Sequence, residues 1–73
     1  MRPIEHIRRN IFNVSQQVFA KIAGTTQSTV SRWESGELNV TDAEMRRIRQ
    51  AARRRKLAWQ DSWFFELPEQ AVA

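Results

Sequence analysis

Apolar residues return every three or four positions along most of the chain, and no stretch alternates apolar with polar over a strand's length. Ile4, Ile7 and Ile11 fall at i, i+3 and i+7 and mark one buried face. Pro3 suits a first helical turn, where its missing N–H costs nothing. A helix is predicted from about Pro3 to Phe12, with Asn13 as its stop and Val14 plugging the core. Ser15 is an N-cap, followed by an apolar face of Val18, Phe19, Ile22 and Ala23. Gly24 enters positive φ easily, so a second helix is predicted over about Gln16 to Ala23. Thr26 caps a third, from Gln27 to about Glu34, ending at Ser35-Gly36. Only Gly24 to Thr26 separate the two, so they must cross steeply. Thr41, with Glu44 three residues on, forms a capping box. It opens a fourth helix over about Asp42 to Lys56, with Met45, Ile48 and Ala52 inward. Arg53, Arg54, Arg55 and Lys56 complement that helix's negative end. "LAWQDSWFFEL" predicts a short fifth helix, about Gln60 to Glu66, and residues 68–73 a frayed tail. The expectation is an all-α, compact five-helix domain over residues 1–67.

At 73 residues the core is marginal, and with no cysteine neither a disulfide nor a thiolate metal site can support it. Good helix packing or self-association must serve instead. His6 is the only histidine, expected on the exposed side of the first helix, so no metal site is expected. No nucleophile–base pair or Gly-rich phosphate loop points to an enzyme, and no cofactor is implied. No window offers the ~18 apolar residues of a membrane span. "MRPIEHIRRN" lacks a leader's apolar run, so the expected location is the cytoplasm. Charge adds a direction. All 12 basic residues and five of the 8 acidic ones lie in 1–56, a balance of +7, while 57–73 carry −3. A basic body favours a polyanionic partner through counterion release.

The third helix has only two large apolar residues, Val30 and Trp33, three apart. Its other face shows Gln27, Ser28, Ser31 and Arg32. Seated in a major groove, such a face offers hydrogen-bonding groups to base edges. Gln pairs bidentately with adenine and Arg with guanine, each discriminating by about 1–3 kcal/mol. The two serines are short enough to permit close approach, and Thr29 is placed for a flanking phosphate or a thymine methyl.

Ser15 to Gly36 reads "SQQVFAKIAGTTQSTVSRWESG". It resembles the helix-turn-helix of the phage Cro and repressor family, also called Xre-like. The likeness lies in the Gln opening the second helix, the "FA..AG" face, the small polar turn, the "QSTVSRWE" helix and the Gly stop. The resemblance implies double-stranded DNA as partner and a phosphate contact from Gln16. Gln17, Thr26, Thr29 and Asn39 are further phosphate candidates, and no small-molecule ligand is expected. The resemblance also implies an ion pair from Glu34 to an arginine of the first helix. Counting back from Gln16 favours Arg9, and aligning the Ile4/Ile7 face favours Arg8, which we take. The spacing between helices 1 and 2 is one residue longer than usual. The stretch after Gly36, "ELNVTDAE", and the C-terminal aromatics depart from the family pattern.

Trp59, Trp63, Phe64, Phe65 and Leu67 are many apolar residues for a tail. Trp59 and Phe64 are assigned to the core, Trp63 and Phe65 to a homodimer contact, since aromatics are enriched at interfaces. The expected activity is a dimeric autorepressor on an inverted repeat with half-sites about 34–36 Å apart. It would act by occluding a promoter. Phage Cro-like regulators and anti-CRISPR-associated autorepressors both fit this plan. The rival is a DNA-binding antitoxin whose aromatic segment grips a partner protein.

Overall fold

Pro3 sits at the first turn of α1, after an extended Arg2. The helix is α-helical over Pro3–His6 and continues as a π-helix over Ile7–Phe12. Asn13 closes it in the left-handed region (φ 56°), a conformation asparagine tolerates. The N–H groups of Asn13 and Val14 both donate to the Arg8 carbonyl. A π-helical turn lodges an additional residue within an otherwise ordinary helix. The extra residue between helices 1 and 2 is taken up here.

The computed structural model describes residues 1–67; the tail expected at 68–73 lies outside the described residues. α2 spans Gln16–Ala23, α3 Gln27–Ser35 and α4 Asp42–Arg54. Ser15 Oγ accepts from Val18 N–H, and Gly24 (φ 73°) ends α2. Thr41 and Glu44 close the capping box in both directions at α4. Ile7, Phe19, Val30 and Ile48, one from each helix, are fully buried and meet in the middle. Removing a ring such as that of Phe19 costs about 3–5 kcal/mol, a large part of what so small a domain possesses. No helix among the described residues is long and apolar enough to cross a membrane.

Among the described residues there are four helices, not five. The expected fifth is a single 3-10 turn, Asp61–Phe64. Gln60 before it is extended and provides no side-chain cap. The carboxylate of Asp61 is drawn to the Trp59 indole N–H at 2.9 Å and to Arg49 at 3.3 Å. α4 also stops two residues short of Lys56, which takes φ 56° while Leu57 N–H returns to the Ala52 carbonyl.

Two further expectations are corrected. Val18 is 41 % exposed, because the inward arc of α2 is centred on Phe19, Ala20 and Ala23. At 100° per residue Val18 stands about 150° from that centre. His6 is buried rather than exposed. The aromatic segment lies across its side of α1, with Trp63 edge-on to the imidazole at 6.2 Å between centroids. Asn10 Nδ2 lies 2.8 Å from His6 Nδ1.

Candidate nucleic-acid interface

α3 is held from both ends and one side, so its other side is a fixed platform. Thr26 Oγ1 accepts from Thr29 N–H at 3.2 Å, and Gly36 (φ 88°) terminates the helix. Val30 and Trp33 anchor it in the core. Gln27, Ser28, Ser31 and Arg32 are all exposed. At 3.6 residues per turn they share an arc of about 140°, turned away from the two anchors. Arg32 Nε is 3.9 Å from Glu37 Oε2, both well exposed, a contact too weak to hold the guanidinium from a better acceptor.

A three-residue network fixes the platform to the rest of the protein. Arg8 Nε donates to Glu34 Oε2 at 2.6 Å, and Arg8 Nη2 to Glu34 Oε1 at 2.9 Å. This fork-to-fork geometry is the strong form of an arginine–carboxylate pair. The same arginine donates through Nη1 to the Val14 carbonyl at 3.0 Å, clamping the loop into α2. Arg9 is turned elsewhere, pairing with Glu5 at 3.1 Å. Burial alone would push the Glu34 carboxyl up. Hydrogen bonds from Arg8 and Gln16, with the positive charge of Arg8, outweigh that and hold it below the usual carboxylate value. The hydrogen bond from Arg8 to Glu34 raises the arginine's own pKa against the opposing effect of burial.

Gln16 Nε2 donates to Glu34 Oε1 at 3.1 Å. An amide nitrogen carries two hydrogens, so one remains for another acceptor. Glu34 therefore aims Gln16 at the start of α2, beside free N–H groups of the helix end, where a phosphate is well received. The Gln16–Glu34 bond is invisible to sequence reasoning, because it needs α2 and α3 already packed.

The remaining phosphate candidates divide. Gln17 and Asn39 are exposed. Thr29 is half-buried, and Thr26 commits its hydroxyl to Thr29, donating to Oγ1 at 3.1 Å while capping α3. Only their remaining surface is open to DNA. The start of α4 is ill suited to an anion. Glu44 occupies both the N–H and the hydroxyl of Thr41, and Asp42 adds negative charge. Arg47 is exposed, and its Nη1 donates to the Ala23 carbonyl at 3.2 Å, closing the end of α2 under Gly24. Trp63 is half-buried against His6 and Trp59 within its own chain, whereas Phe65 is 73 % exposed.

The sequence matches the helix-turn-helix family over residues 6–59, well over half of the chain, with α2 and α3 inside the match. The chain belongs to this Xre-like helix-turn-helix family. It is thus a DNA-binding domain of a transcription regulator. The family match stops before Trp63 and Phe65. No curated protein and no solved structure gives a match.

Proposed function

We propose that this helix-turn-helix protein is a sequence-specific repressor. In this reading it binds an inverted-repeat operator as a homodimer in the cytoplasm and occludes a promoter. The observation that carries it is the exposed polar arc of α3, fixed in place by Val30, Trp33 and the Arg8–Glu34 pair. Gln27 and Arg32 are the residues that discriminate bases. Ser28 and Ser31 let the helix sink into the groove and add shorter contacts. Gln16, Gln17 and Asn39 grip phosphates on either side, with Thr26 and Thr29 as flanking contacts, setting register without reading sequence. Support for a dimer comes from Phe65, a large exposed aromatic edge-on to the half-buried Phe64.

A footprint tests the proposal. Selection from random duplexes should return an inverted repeat, and protection should cover two half-sites about one helical turn apart. Affinity should fall steeply with salt, as phosphate neutralisation requires. A single unrepeated half-site, bound without cooperativity, would contradict the dimeric part. Equal protection of every sequence would contradict the specific part.

A further inference from the structure

Beside Phe65 lies an open groove of about 510 Å³. Its floor includes Ile4, Trp33, Val40 and Met45, and its rim carries Arg2, Leu38 and Phe65. Leu38 is 43 % exposed and Phe65 is 73 % exposed, so an apolar hollow and an apolar knob share one face. That arrangement is self-complementary under a two-fold axis, where the same patch on each subunit must serve as both donor and recipient. The charges agree. Arg2 makes no ion pair among the described residues, and its guanidinium lies over Gly36 at the groove. Glu66 is exposed, next in sequence to the knob.

We propose that the groove receives the Phe65 ring of a second copy of this chain, and that Glu66 of each copy meets Arg2 of the other. The inference rests on the dimeric reading above and specifies its contact. The groove also contains Asn39, on the loop between α3 and α4. Filling it immobilises the segment that carries this phosphate candidate. Dimerisation and DNA affinity are then linked through the loop as well as through the doubling of half-sites.

The absence of cysteine makes the test direct. Two single-cysteine proteins, Leu38→Cys and Phe65→Cys, are mixed and oxidised. The expected product is a disulfide-linked pair containing one of each, formed far more readily than in either protein alone. Phe65→Ala should weaken self-association at least about tenfold by sedimentation, with helicity unchanged because the ring is exposed. Arg2→Glu should also weaken it, and adding Glu66→Arg in the same chain should restore it. A dimer that persists in Phe65→Ala and yields no mixed cross-link would place the interface elsewhere, overturning the groove contact but not the dimer. A wild-type chain that stays monomeric, free and on DNA, would overturn both. Slow maleimide labelling of monomeric Phe65→Cys would assign the groove to residues 68–73 of the same chain, and would overturn the proposal.

Discussion

Glu34 shows how much one side chain can settle. It joins α3 to α1 through Arg8 and to the start of α2 through Gln16, with the Arg8 and Glu34 side chains each only 9 % exposed. Replacing one partner strands the other's charge in a half-dry site, a larger loss than the pair's own attraction. Glu34→Ala should therefore cost about 2–3 kcal/mol in urea unfolding. An effect under half a kilocalorie, about that of a surface substitution, would remove the network from the account. The pH dependence follows from the same group. Its native pKa lies below the ordinary carboxylate value of about 4.3. Its contribution is complete above that value and is lost as pH falls through the lowered native one. Arg8, pushed upward, stays charged across any workable range and adds no alkaline dependence. Wild type should lose stability on acidification below about pH 4, and Glu34→Ala should lose measurably less over that interval.

Among the elements, ends were more legible than faces. Ser15, Thr26 and the Thr41/Glu44 box fixed the starts of α2, α3 and α4, because a cap is a local bond between near neighbours. The glycine stops were equally local. What could not be read depends on distant chain. The π-helical part of α1 shows in sequence only as one surplus residue before Ser15. His6 is buried where Trp63 lies against it, and the expected fifth helix is only a 3-10 turn, with Asp61 bonded to Trp59 and Arg49. The bond from Arg47 to the Ala23 carbonyl likewise exists only because α4 lies beside the end of α2. Two predictions belong to helix ends. Lys56 occupies a left-handed position that costs a non-glycine residue about 1–2 kcal/mol, so Lys56→Gly should raise stability by about 1 kcal/mol. Gly24→Ala should do the opposite, since φ is +73° and a new Cβ would stand 3.1 Å from Arg47. Thermal melts of the two variants should shift in opposite directions; shifts of the same sign would contradict this view of the helix ends.

At the scale of the whole molecule, α1, α2 and α4 pack around α3 and leave its polar arc exposed. Composition and periodicity identified the helix, and the polar arc of α3 was legible because it is defined by what is missing, a third large apolar residue. The supporting pair was legible only as a choice between two arginines, which the structure decides: Arg8 bonds Glu34, and Arg9 pairs with Glu5. The assembly was least legible, since an exposed ring becomes an interface only when a second surface fits it. The central claim is that the α3 arc reads bases, and the most direct measurement is affinity for the selected operator and for random duplex at one salt concentration. For Gln27→Ala and Arg32→Ala, loss on the operator should be about tenfold or more, the low end of 1–3 kcal/mol per bidentate contact, with little change on random DNA. Equal losses on both duplexes would make these residues backbone contacts and contradict the account.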